Sequence, residues 1–277
     1  MKMRLSFISI SMLLCGMVIS ETARAQATDT VGDGGTDGST PEVAKVPFGV
    51  GERFEYRVRF GPLTVGEAVM EVTGIDTVAG HPTYHLSTLI EGSVPFYTLK
   101  DIQESWLDVS LLASRRFRQD SKQGDYERQR EYQFDLENRV YHEDNGETDS
   151  IPPLALDEAS FIYFVRATPL EVGETYEWNR YFRFDRNPVI VQVLRREKVK
   201  VPAGEFETVV VRPIIKTGGI FAEGGEAEVY MTDDEGRLLI KLVSKLKVGT
   251  LTMELTNYEA GEPLTPEDLE GEAASSP

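Results

Sequence analysis

Between residues 46 and 258 apolar and polar side chains alternate with a period of two, and this restricts the chain to a narrow set of folds. Successive side chains of a strand point to opposite faces, so strict alternation marks a strand with one buried and one wet face. Phe54, Tyr56, Val58 and Phe60 fall on one face, and Glu55, Arg57 and Arg59 on the other. Leu238, Ile240, Leu242, Leu246 and Val248 oppose Lys241, Lys245 and Lys247. Leu251, Met253 and Leu255 alternate with Thr250, Thr252, Glu254 and Thr256. Turn-forming runs punctuate the alternation: Ala79-Gly80-His81-Pro82, Asp144-Asn145-Gly146, Asp185-Arg186-Asn187-Pro188, Pro202-Ala203-Gly204 and Asp233-Asp234-Glu235-Gly236. Connections this short join antiparallel neighbours, because parallel strands need a long crossover.

One segment departs from the period. After Pro152-Pro153, Asp157 stands where an N-cap belongs, and apolar residues follow at 161, 162, 164 and 165 before Pro169. This spacing predicts one helix of about ten residues. The strands on either side of it resemble each other. Val50-Gly51-Glu52-Arg53-Phe54-Glu55-Tyr56 is echoed by Val172-Gly173-Glu174-Thr175-Tyr176-Glu177-Trp178. Gly51 precedes Gly80 by 29 residues and Trp106 by 55; Gly173 precedes Gly204 by 31 and Tyr230 by 57. The constant offset of two argues for a duplicated architecture. The expected fold is therefore all-β: a large twisted antiparallel sheet curled into an open barrel or half-barrel, in two pseudo-repeated halves, with one bridging α-helix.

The termini read differently. Residues 1–25 hold Lys2 and Arg4, an apolar run from Leu5 to Ile19, and Ala23-Arg24-Ala25, the form of a secretory signal peptide cleaved near Ala25. The run is about 15 residues, short of the roughly 20 that span a bilayer. Cys15 is preceded by Leu14 and lies inside that run, which disfavours lipidation. Cleavage removes the single cysteine, so the mature chain has neither disulfide nor thiolate chemistry. The net charge of −17 becomes about −19 once Lys2, Arg4, Glu21 and Arg24 leave. That balance opposes nucleic acid and bare anionic membrane as partners. Residues 26–45 read as a flexible linker, 46–258 as a single β-rich domain without a membrane span, and 259–277 as an acidic, disordered tail.

No catalytic constellation stands out. His81, His85 and His142 have no metal-ligand spacing, no serine lies in a Gly-x-Ser-x-Gly elbow, and neither acidic turn has the pattern of a calcium loop. No cofactor, catalytic residue or metal site is assigned. Two features suggest ligand contacts. Arg128 and Arg130 share the apolar phase of Tyr126, Tyr132 and Phe134, and Arg180 occupies the repeat position of Val58. An arginine facing inward can hold an anionic group by charge-assisted hydrogen bonds, though an edge strand, a paired acid or a bulge is the simpler explanation. Phe96 and Tyr97, in Gly92-Ser93-Val94-Pro95-Phe96-Tyr97, and Phe221, in a glycine-rich run from Gly218 to Gly225, are aromatic loops at matching repeat positions. They suit flaps over a ligand, or caps on the core.

Several blocks of the chain stand out as a set. They are Gly51-Glu52-x-Phe54-x-Tyr56-x-Val58 with Gly61-x-x-x-Val65-Gly66, and Glu104-Ser105-Trp106-Leu107-Asp108. Leu156-Asp157-x-x-Ser160-x-x-Tyr163-x-x-Arg166, Val201-Pro202-Ala203-Gly204-x-Phe206 and Thr232-Asp233-Asp234-x-x-Arg237 complete the set. Together these blocks, over roughly residues 47 to 258, are similar to an uncharacterised exported bacterial family, domain of unknown function 3108; the resemblance implies a β-rich envelope protein and carries over no catalytic residue. The expectation is an exported, periplasmic or envelope-soluble protein that binds a lipid or other amphipathic small molecule without catalysis. The alternatives are a structural or assembly partner with a filled core, and an exported hydrolase built around His85.

Overall fold

The computed structural model describes residues 44–94, 97–215, 226–245, 249–265 and 268. Among the described residues fourteen strands form one sheet. The first meander runs through β1 (Arg53–Phe60), β2 (Leu63–Val78), β3 (His81–Val94), β4 (Tyr97–Asp108), β5 (Ser114–Gln123), β6 (Tyr126–Asp135), β7 (Val140–Glu143) and β8 (Thr148–Ser150). Helix α1 (Ser160–Arg166) follows. The second meander is β9 (Thr175–Trp178), β10 (Val189–Val201), β11 (Gly204–Ile214), β12 (Glu226–Thr232), β13 (Leu239–Lys245) and β14 (Thr250–Glu259). The meanders join where β1 pairs antiparallel with β14, so the spatial order runs from β8 to β1 and then from β14 to β9. Strands β8 and β9 are the two edges, and the sheet does not close through them.

The duplication is built into the hydrogen bonding. Gly51 N donates to Val72 O at 2.8 Å and Val72 N to Glu52 O at 2.9 Å; Gly173 N to Val193 O and Val193 N to Glu174 O repeat the pattern at 2.9 Å each. Bulges recur at matching places. Register shifts after Val72 in β2 and after Val193 in β10, and again after Trp106 in β4 and after Tyr230 in β12. A bulge bends its strand and adds twist, which is how a long sheet curls. The last two bulges skip Arg115 and Ile240 in the partner strands, and both skipped residues are buried.

The apolar phase faces the inside of the curl. Tyr56, Tyr84, Phe117 and Tyr132 are among the largest fully buried side chains. The polar phase forms ion pairs across the outer face, such as Arg57 with Glu254 at 2.9 Å and Arg195 with Glu228 at 2.8 Å. The crossover from β8 to β9 carries α1 through the interior. Just beyond β9, Phe182 packs on Tyr132, Phe134 and Tyr141 of β6 and β7 with ring centroids 5.2, 5.5 and 5.7 Å apart. That cluster ties the chain beyond one edge strand to the strands next to the other.

The helix is shorter than its pattern predicts: seven residues rather than about ten. Asp157 precedes the first helical residue by three positions, and its Oδ1 accepts from Ala159 N at 2.8 Å and Ser160 N at 2.9 Å. The intervening residues form a turn. Asp157 Oδ2 accepts from Ser105 Oγ at 2.6 Å, and Ser114 Oγ lies 2.8 Å from Ser160 Oγ. The helix start is thereby bolted to β4 and β5. Its last residue, Arg166, makes a bidentate pair with Glu52 at 2.7 and 2.8 Å.

Candidate functional site

The inward phases of the two meanders do not fill the curl. Between them and α1 lies a cavity of about 200 Å³. Its walls are apolar: Met70 of β2, Val191 of β10, Val211 of β11, Met231 of β12, Leu242 of β13 and Met253 of β14 face Phe161, Ile162 and Val165 of the helix. Alternation supplies this lining directly, since each strand presents every second residue to the interior.

One part of the wall is polar. Gln103 of β4, Glu158 just before α1, and Arg186 from the β9–β10 connection line it. They belong to a buried chain of hydrogen bonds. Asp101 Oδ2 accepts from Gln103 Nε2 at 2.8 Å, and Asp101 Oδ1 accepts from Gln119 Nε2 at 2.8 Å. Gln119 Oε1 accepts from Arg130 Nε at 2.8 Å, and Arg130 Nη2 donates to Glu158 Oε1 at 3.3 Å. Arg186 Nη1 donates to Tyr181 Oη at 2.9 Å and stands 4.0 Å from Glu158 Oε1. The side chains of Arg130, Glu158 and Arg186 are only 3%, 4% and 7% exposed, and each is set against a partner of opposite sign, as buried ionisable groups require. Burial pushes the Tyr181 phenol well above its usual value, with the charge of Glu158 adding to the effect. Tyr132 is pushed up to about 12, chiefly by burial. Both phenols therefore stay protonated at any physiological pH.

The sequence-predicted contacts separate. Arg130 lies in this network, while Arg128, also in the inward phase of β6, is half-buried and pairs in register with Ser121 of β5. Tyr126, on the same face, is exposed. Arg180 lies beyond the end of β9 and clamps loops: its Nε donates to Leu154 O at 2.7 Å and its Nη2 to Leu112 O at 2.6 Å. Its guanidinium sits over the Phe164 ring, and burial lowers its pKa to about 10. It is not part of the cavity wall. Phe96 and Phe221 lie outside the described residues. Tyr97 opens β4, and its side chain lies outside them too. The strands leading toward Phe96 and Phe221, β3 and β11, run in the same direction in the antiparallel order.

His85 lies in the outward phase of β3, between buried Tyr84 and Leu86. It stacks on Trp106 with centroids 4.5 Å apart, and its two ring nitrogens lie 3.3 Å from Asp76 and Glu104 respectively. Both ring nitrogens thus face carboxylates, not the serine a hydrolytic triad requires. Among the described residues no group of three or more histidine, cysteine or acidic side chains is placed to hold a metal ion.

Sequence reasoning missed Glu158, Arg186 and Gln103 as cavity residues. Arg186 belongs to a run read only as a turn, Glu158 to the helix entry, and Gln103 to a strand with no unusual pattern. The available signal was an inward-phase polar series on neighbouring strands: Asp101, Gln103 and Ser105 on β4, and Gln119 and Ser121 on β5.

An open antiparallel meander wrapped around one helix and an interior cavity defines a β-barrel-like class of fold. Residues 55–256 match the family model described as "Protein of unknown function (DUF3108)", and the chain belongs to that family. A search of the curated proteins returns no match. Among solved structures, a β-barrel-like protein of domain of unknown function DUF1849 from Brucella abortus is similar over 79% of this chain and 100% of its own, with 11% identity and a TM-score of 0.50. A candidate lipoprotein from Parabacteroides distasonis aligns over 79% and 100% with 10% identity and a TM-score of 0.31. A candidate exported protein with a YmcC-like fold from Bacteroides fragilis aligns over 78% and 99% with 10% identity and a TM-score of 0.30. The first of these likenesses concerns the fold alone. Among the described residues no helix is long and apolar enough to cross a membrane, which says nothing of spanning by strands.

Proposed function

We propose that this protein is an exported envelope protein that binds a small apolar or amphipathic molecule in the cavity between α1 and the sheet, without catalysing its conversion. The observation that carries the reading is the cavity itself: about 200 Å³, walled by aliphatic side chains and α1, with a charged, hydrogen-bonded margin. A dry apolar cavity of about 150 Å³ is enough to take up benzene, and binding pockets are typically apolar with a few fixed polar groups. The volume suits a single chain or ring rather than a lipid with two acyl chains. A purely structural partner with a filled core has no use for this space. The hydrolase alternative is disfavoured by the outward position of His85 and its carboxylate neighbours. Export is supported by the signal-like residues 1–25, and amino-terminal sequencing of the secreted chain is expected to begin near Gln26.

The test is native mass spectrometry of protein released from the periplasm, compared with a Val191→Phe variant whose larger ring fills the cavity. The reading predicts a small-molecule adduct, or uptake of added 1-octanol, on the wild type and not on the variant. Protein that arrives bare and takes up no 1-octanol contradicts it.

A further inference from the structure

The polar margin also specifies the head of the ligand, an inference that rests on the cavity-binding reading and extends it. The Glu158 carboxylate interacts with Arg130, Arg186 and the Tyr181 phenol, yet one of its two oxygens is left without a donor. Its Oε1 accepts from Arg130 Nη2 at 3.3 Å and faces Arg186 Nη1 at 4.0 Å. Its Oε2 is buried and has no hydrogen-bond partner among the described residues, although the side chain is 96% shielded and lines the cavity. Buried acceptors in native proteins are almost always matched by a donor. We propose that the donor is an uncharged hydroxyl at the end of an otherwise apolar ligand, giving its proton to Glu158 Oε2 while the chain lies along Val191, Val211 and Phe161.

The charges at the margin select this chemistry. A carboxylate, which the two guanidiniums would attract, has no proton to offer and would leave Glu158 Oε2 unmatched. An ammonium has protons but would stand beside two guanidiniums, Arg130 and Arg186. A hydroxyl supplies one proton and adds no charge. It also leaves the Arg186 to Tyr181 bond of 2.9 Å intact.

The experiment compares four eight-carbon probes by calorimetric titration of the full mature chain: 1-octanol, octyl methyl ether, octanoate and octylamine. The ether keeps the oxygen and loses the donated proton. The proposal predicts that 1-octanol binds about tenfold more tightly than the ether and more tightly than both charged probes, since a lost charge-assisted hydrogen bond of about 1.4 kcal/mol is one decade. Glu158→Gln retains an oxygen for Arg130 and places an amide donor where Oε2 stood, so the preference between alcohol and ether should narrow or reverse. Should that variant fail to fold, the ranking on the wild type decides alone. Equal binding of alcohol and ether overturns the head-group assignment and leaves the cavity reading standing, as does tightest binding by octanoate or octylamine. Failure of all four to bind overturns the cavity reading itself.

Discussion

At the scale of single residues, the most consequential contact is the pair between Glu52 and Arg166. Each side chain is 1% exposed, and Arg166 also donates to Gly236 O at 3.1 Å and stacks over Phe48 and Phe54. Two charges taken from water offset their desolvation only while both are present. Arg166→Met should destabilise the fold by about 3–5 kcal/mol, because it strands the Glu52 carboxylate, whereas adding Glu52→Leu should recover much of the loss. Urea denaturation of the single and double variants checks this, and a double variant worse than the single would refute the pairing argument. Asp157 makes a different prediction. Burial raises its pKa from 3.8 to about 6, against the opposing hydrogen bonds from Ser105 and Ser160. Between those values the folded state binds the proton that the unfolded state has released, so stability falls as pH rises through this window and stays reduced above it. The linked change is about 3 kcal/mol for a shift of this size. Asp157→Asn keeps an oxygen for the helix cap and cannot titrate, so its stability should lose this slope between pH 4 and 6. An unchanged slope would show that another group is responsible.

At the scale of elements, alternation makes most strands legible, because it reports directly which side chains go inside. Phe54, Tyr56 and Val58 are buried, as are Ile240, Leu242, Leu251 and Leu255. It fails where an inserted residue changes the phase: Leu239 is buried next to Ile240 at the bulge opposite Tyr230. It also fails at Arg180, where the second repeat's opening strand stops at Trp178 and the chain turns into the crossover. The helix was legible from its apolar spacing and ended short because Asp157 caps a turn before the helix proper. The duplication is the firmer lesson. Gly51 has φ +83° and Gly173 φ +94°, each at the start of its meander and each with open space where a Cβ would lie. Only the backbone conformation resists a side chain there, at about 1–2 kcal/mol for a left-handed residue. Gly51→Ala and Gly173→Ala should therefore each lower stability by about 1 kcal/mol, and by similar amounts. Thermal melts test the equivalence, and a large cost at one glycine with none at the other would break it.

At the scale of the whole molecule, two antiparallel meanders meet at β1 and β14, and a helix in the crossover lines the cavity they leave. The alternating period of the sequence encodes the walls of the resulting space but not the space. A cavity depends on how far apart strands such as β2 and β10 come to rest, and on residues from unrelated stretches: Gln103, Glu158 and Arg186 meet there from a strand, a helix entry and a loop. No local pattern announces such a meeting. Arg130 was visible beforehand because its strand phase is anomalous, and its place in the network accounts for that anomaly by pairing. The central claim is that this interior accepts an apolar guest. Calorimetric titration of 1-octanol into the wild-type chain and into Val191→Phe, at two temperatures, tests it most directly. The account predicts saturable one-to-one binding with a negative heat-capacity change in the wild type, and none in a Val191→Phe chain that melts as the wild type does. No saturable heat in the wild type, or equal binding by both chains, would contradict it.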